Sequence, residues 1–205
     1  MIGGTAAGTA HQRLQSGGSS TDPTFSDDRD VKVIPFGATP GGTGGGSVSY
    51  ASGQWSATAR AGTNNIGTAL QAAPSTGAAL QFLLELPGDW DAGNQPYINI
   101  FFGSGTNNSG TVIWTASSAC SKQDGSVSDD PSFLAESAFA AQTMAAANRM
   151  WAKGGKFTAM TSANNCVPGS SVIVTVALSG TATAPINAYQ AVITIPTLPI
   201  AAQVN

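Results

Sequence analysis

Glycine and proline cut this chain into short apolar bursts, and that spacing decides most of what it can fold into. Residues 79–86 read ALQFLLEL and stop at Pro87-Gly88, and residues 97–102 read YINIFF. Residues 171–178 read SVIVTVAL, and residues 188–195 read AYQAVITI before Pro196. Apolar residues at every second position put one face of a strand in a core and leave the other in water. In YINIFF, Tyr97, Asn99 and Phe101 take one face and Ile98, Ile100 and Phe102 the other. No burst approaches the roughly 18 apolar residues a membrane helix needs, so no membrane partner is expected. Residues 31–36, 48–59, 111–116 (TVIWTA) and 156–161 (KFTAMT) complete a set of about eight strands, and no repeat period marks a propeller or solenoid. The fold class expected is all-β, an antiparallel jelly-roll-like β-sandwich. The stretch GSGTNNSG at 103–110 predicts a hairpin joining YINIFF to TVIWTA. The alanine-rich segment after Pro131 predicts one helical turn over 133–139, followed by extended chain.

The chain divides near residue 30. Before it, Leu14 and Phe25 are the main apolar groups, Gly17-Gly18-Ser19-Ser20 is a spacer, and Asp22, Asp27, Asp28 and Asp30 cluster with the single histidine, His11. Such a stretch cannot bury enough apolar surface to order itself. It reads as a flexible anchoring arm (1–30), ahead of a sandwich domain (31–199) and a short tail (200–205). The opening MIGGTAAGTAHQRLQ has neither the basic start nor the apolar centre of a secretory signal.

Charge narrows the partners. Charged residues make up 9% of the chain, against about 25% in an average domain. Lysine and arginine total 8 and are not clustered, so phosphate neutralisation and a nucleic-acid partner are not expected. A surface of uncharged polar groups suits subunit packing or extracellular service, because few charges must be desolvated.

The chemistry is sparse. With its only histidine in the arm, the domain cannot assemble a Ser-His-Asp or Cys-His site. Cys120 and Cys166 lack a CxxC spacing, which leaves a disulfide or two free thiols. Asp89 and Asp91 flank Trp90; as a carboxylate pair they would suit glycoside hydrolysis, and as loop residues they would cap their own turn. Asp124-Gly125 and Asp129-Asp130 offer hard oxygen ligands for calcium or form an ordinary acidic turn. Asn107-Asn108-Ser109 matches a glycosylation acceptor. Of Trp55, Trp90, Trp114 and Trp151, Trp114 sits in an apolar strand and reads as core. Trp90, between two aspartates in a loop, is the best candidate of the four for exposure. Trp90, Asp89, Asp91 and Trp55 are therefore the candidate ligand or subunit contacts; no catalytic, cofactor-binding or metal residue is assigned.

The run ALQFLLELPGDWDAG, then YINIFF, a Gly and Ser turn and VIWTASSA resembles a jelly-roll domain of bacteriophage virion appendages, over residues 31–197. The matching residues are Pro87, Asp89, Trp90, Asp91, Gly93 and Val112 to Trp114, followed by the acidic turn through Phe133 and the last two strands. The chain departs from that family at Ser179-Gly180-Thr181-Ala182, where an Arg-Asp pair is usual. The resemblance implies a non-enzymatic virion structural protein without cofactors, a head-fibre, capsid-decoration or tail-fibre subunit. It further implies a homotrimer, assembled in the host cytoplasm and joined through its arm to capsid or tail proteins, with a host surface glycan as a further partner. Three alternatives stand beside it. They are a carbohydrate-binding module using Trp90 and Trp55 as platforms, a glycoside hydrolase using Asp89 and Asp91, and a self-assembling filament subunit that donates its arm as an extra strand.

Overall fold

In the computed structural model the described residues are 12–15, 24–27, 29–36, 48–49, 54–59, 68–121, 133–136, 138–145 and 149–198. The strands are β1 (Gln12–Gln15), β2 (Thr24–Asp27), β3 (Arg29–Pro35), β4 (Val48–Ser49), β5 (Ser56–Ala59), β6 (Thr68–Ala72) and β7 (Ala79–Glu85). Then follow β8 (Tyr97–Ser104), β9 (Thr111–Ser121), β10 (Leu134–Ala135), β11 (Gln142–Thr143), β12 (Arg149–Lys156), β13 (Ser171–Gly180) and β14 (Ile186–Pro196). They form two antiparallel sheets of six strands and a separate ribbon. One sheet runs β10-β9-β13-β7-β4, with β11 also on β9; the other runs β12-β8-β14-β6-β5, with β3 also on β14. The ribbon pairs β1 with β2 inside the expected arm, and β3 starts at Arg29, just ahead of the expected boundary.

The two sheets close over one core, as the alternation requires. Val172, Val174, Val176 and Leu178 of β13 are each 0% exposed, and Leu80, Phe82 and Leu84 of β7 lie beside them. The facing sheet supplies Ile98, Ile100 and Phe102 of β8 and Ala191, Ile193 and Ile195 of β14. Burying each of the larger side chains is worth about 1.5–3 kcal/mol. Trp114 stacks on Trp55 at 6.2 Å and leans on Phe102 at 5.7 Å, as expected of a core residue. Cys120 and Cys166 form a disulfide with Cα atoms 5.2 Å apart, tying the end of β9 to the turn before β13.

Three sequence expectations are corrected. YINIFF and TVIWTA do not form a hairpin: β8 lies in one sheet and β9 in the other. Both hydrogen-bonding edges of β8 are occupied, by β12 and β14, so the intervening loop arches across the sandwich. Asn108 fastens that arch. Its Oδ1 accepts from Thr183 N at 2.9 Å and Ala184 N at 3.0 Å, while its Nδ2 donates to the Ala184 carbonyl at 3.0 Å.

Among the described residues of 133–139 there is no helical turn, and they run extended along β9. Glu136 N donates to Ala116 O, Phe139 N to Trp114 O and Met144 N to Gly110 O, each at 2.9 Å. Tertiary packing overrides helix propensity here, because only an extended chain delivers Phe139 and Met144 to the core. Phe139 occupies the space left by Gly155, where a Cβ would come within 2.8 Å of its ring. The strand expected at KFTAMT instead precedes it as β12, and Phe157 and Met160 plug the core from the turn that follows.

Candidate functional site

With Ile98, Ile100 and Phe102 turned inward, Tyr97, Asn99 and Phe101 stand on the outer face of β8, as the alternation predicts. The register builds the rest of that face. Phe101 lies opposite Gln190 of β14 and Ala152 of β12, Asn99 opposite Val192 and Gly154, and Tyr97 opposite Thr194 and Lys156. Strand β3 extends the same rows with Pro35, Val33 and Val31.

A bulge between Ala188 and Gln190 makes Tyr189 an extra residue on β14. Its ring lies over Gly103, where a Cβ would stand 3.0 Å from Tyr189 Oη and 3.3 Å from Cε2. Gly154 similarly leaves room for Asn99: a Cβ there would meet Asn99 Oδ1 at 2.7 Å and collide with the Ile98 carbonyl. Two missing side chains thus let the Tyr189 ring and the Asn99 side chain lie down against the backbone of β8 and β12. Asn187, opposite Gly103, accepts a hydrogen bond from Gln71 Nε2 at 2.9 Å and carries the row of amides onto β6.

Three aromatic rings (Tyr97, Phe101, Tyr189), three amide side chains that reach the surface (Asn99, Gln190, Gln71) and two cations at its end, Lys156 and Arg29, therefore share one face, with Asn187 buried beneath it. Aromatic rings present flat apolar surfaces, and amides present donors and acceptors together. The opposite sheet carries Leu83, Gln81, Ile173, Thr175 and Ser117 along its outer side, with the exposed Phe133 just ahead of β10 at its edge.

The residues singled out from sequence lie elsewhere. Trp90, the best of the four tryptophans as a candidate for exposure, is 1% exposed and belongs to the core. Its Nε1 donates to Asn94 O at 3.1 Å, and its backbone bridges Thr197. Asp91 caps its own turn, taking Gly93 N at 2.9 Å and Asn94 Nδ2 at 2.8 Å, and the Asp89 carbonyl accepts Leu198 N at 2.7 Å. The Asp-Trp-Asp run is a clamp on the end of β14. Trp55 is also buried, with Nε1 donating to Ala79 O at 3.0 Å, so neither tryptophan is a platform. Trp151 is half-buried and stacks on Phe102 at 6.3 Å.

His11 and the calcium candidates Asp124 to Asp130 lie outside the described residues, as does the tail 200–205. Among the described residues no cluster of three or more His, Cys, Asp or Glu could hold a metal ion. Sequence reasoning passed over Glu136. Its carboxylate is 7% exposed and takes Ser118 Oγ at 2.7 Å, Thr158 Oγ1 at 3.0 Å and Ala159 N at 2.8 Å. It pins the edge segment to β9 and to the turn after β12.

Fold and face together define a β-sandwich with an aromatic, amide-lined sheet surface. No protein-family model matches the chain, and no curated protein matches it. Solved structures that align with the chain include carbohydrate-binding modules. The CBM22-1 xylan-binding domain from Paenibacillus barcinonensis Xyn10C aligns with TM-score 0.46 and 15% identity, over 83% of this chain and 97% of that one. The CBM22-1-GH10 modules of Clostridium thermocellum endo-1,4-beta-D-xylanase 10B, complexed with xylohexaose, align with TM-score 0.45 and 14% identity over 75% of this chain. This chain spans 27% of that structure. A xylan-binding module, CBM15, aligns with TM-score 0.41 and 14% identity, over 75% of this chain and 100% of that module.

Proposed function

We propose that the protein is a non-catalytic carbohydrate-binding β-sandwich, holding a neutral polysaccharide chain on the outer face of the β12-β8-β14 sheet. The observation that carries this reading is the convergence of Tyr97, Phe101 and Tyr189 with Asn99 and Gln190 on one outer face of the sheet. The C–H faces of pyranose rings stack on aromatic rings, and sugar hydroxyls both donate to and accept from amides. Asp91, committed to its own turn, is not placed for acid–base work. The test is affinity electrophoresis against xylan, mixed-linked β-glucan and galactomannan. Wild type is retarded by at least one, and Phe101→Ala weakens the retardation about tenfold, the loss of one well-placed stacking contact. A wild-type protein retarded by none, or a Phe101→Ala,Tyr97→Ala variant retarded as wild type is, overturns it.

A second reading concerns assembly. Val31 and Val33 are 53% and 55% exposed on β3, directly after the expected arm. An exposed apolar pair beside such an arm supports a subunit that packs against copies of itself, as the homotrimeric virion appendage requires. Its test is the absolute mass by light scattering: a trimer supports that reading, and a monomer at all concentrations removes it.

A further inference from the structure

At the edge where β5 and β6 end the sheet, a cleft with a volume of about 320 Å³ opens beside the aromatic face. We infer that this cleft is a terminal subsite, seating the end residue of the glycan chain that the face holds; this role rests on the carbohydrate-binding reading above. Its volume is at the small end of ligand pockets, which run from about 300 to 1,000 Å³ and so suits one or two sugar rings.

Among the described residues the lining carries no charged side chain. Gln71 donates through Nε2 to Asn187, which leaves Oε1 without a partner among the described residues. Gln54 is fixed by its Oε1, which accepts from Ala79 N at 3.2 Å, and its Nε2 has no partner among the described residues. Ser56 contributes a hydroxyl held only weakly, at 3.5 Å from the Gln71 carbonyl, and Thr76 Oγ1 donates to Ala73 O and keeps its lone pairs. Trp55 and Pro185 supply an apolar wall, and Trp55 is held still by Trp114 and by the Ala79 carbonyl.

A rigid wall with one free acceptor, one free donor and two hydroxyls complements a neutral ring bearing several hydroxyls. Continuity sets the order of subsites. Gln71, Asn187 and Gly103 occupy one row across β6, β14 and β8, and Tyr189 covers Gly103. A chain stacked on Phe101 and Tyr189 thus meets Gln71 as it leaves the sheet.

The experiment compares chain ends with chain middles. Titration calorimetry with xylohexaose, a mixed-linked glucan hexasaccharide and mannohexaose is run beside affinity electrophoresis with the parent polymers. The variants are Gln71→Leu and Gln54→Glu, the second keeping the acceptor for Ala79 N while removing the free donor. Both should weaken hexasaccharide binding about tenfold, roughly one lost hydrogen bond with its partner left unpaired, and change polymer retardation less than twofold. Phe101→Ala weakens both. Unchanged hexasaccharide affinity in both variants, with Phe101→Ala still impaired, overturns the subsite and leaves the face reading standing. Equal losses for hexasaccharide and polymer also overturn it, by making the cleft internal to the path. A wild type that binds no saccharide overturns both readings.

Discussion

Opening the Cys120–Cys166 disulfide tests how much of this sandwich is held by its chain connectivity. The half-cystines are 46 positions apart and 5% and 2% exposed. In the chain-entropy treatment, cross-linking a loop of that length removes denatured-state freedom worth about 4 kcal/mol at 25 °C. Domains are typically stable by about 5–15 kcal/mol, so the cross-link contributes a large share. At about 2–4 °C per kcal/mol for a chain of this size, the melting temperature should fall by roughly 10 °C. The assay is guanidinium unfolding followed by tryptophan fluorescence, on the oxidised protein and on protein reduced while unfolded and kept reduced. Reduction should lower the midpoint and raise the slope, because the opened denatured chain exposes more surface. A Cys120→Ala,Cys166→Ala variant should be less stable than reduced wild type, since it also leaves a cavity at two buried positions. Coincident midpoints for oxidised and fully reduced wild type would refute the reasoning.

Further outcomes follow from the same geometry. Trp90→Ala should cost about 3–5 kcal/mol of unfolding free energy, whereas Trp90→Phe should stay folded and keep saccharide binding. A folded Trp90→Phe protein without binding would restore Trp90 as a contact. Glu136→Gln should cost about 1–2 kcal/mol, because Ser118 can turn its hydroxyl to accept; Glu136→Ala, which strands Ala159 N, should cost about 3–5 kcal/mol by denaturant titration. Asn108→Ala should lose about 2–4 kcal/mol, since Thr183 N and Ala184 N are left without their acceptor. Hydrogen exchange at those two amides, just ahead of β14, should accelerate well beyond that of β14 itself.

Strand identity was legible wherever period two was strong. SVIVTVAL became β13, with Val172, Val174, Val176 and Leu178 inward and Ile173 outward, and YINIFF became β8, with Tyr97, Asn99 and Phe101 outward. Pairing was not legible, because a glycine- and asparagine-rich loop looks the same in a hairpin and in an arch between sheets. Only long-range contacts distinguish them: the pairing of β8 with β12 and β14, and the bonds of Asn108. The site was half visible. Tryptophans drew attention by rarity, yet the flanking aspartates that suggested exposure for Trp90 belong to a turn that buries it. Tyr189 reaches the face through a bulge, and nothing local in AYQAVITI marks the added residue. Glu136 sat in an alanine-rich stretch whose propensity pointed to helix, so its three long-range donors had no local trace.

The arch between β8 and β9 bears on how the chain reaches this state. From β6 to β9, successive strands lie in opposite sheets, and β12, β13 and β14 alternate again. Tyr97 must therefore wait for Thr194, and Ala79 for Ala177, before the central ladders can form. Closing such long loops costs entropy before any contact repays it, and β-sandwiches of this kind fold in about milliseconds to seconds. Until β14 arrives, the central edge of β8 is open to strands of other molecules. Premature association during refolding should therefore respond to chain concentration more sharply than the finished sandwich does.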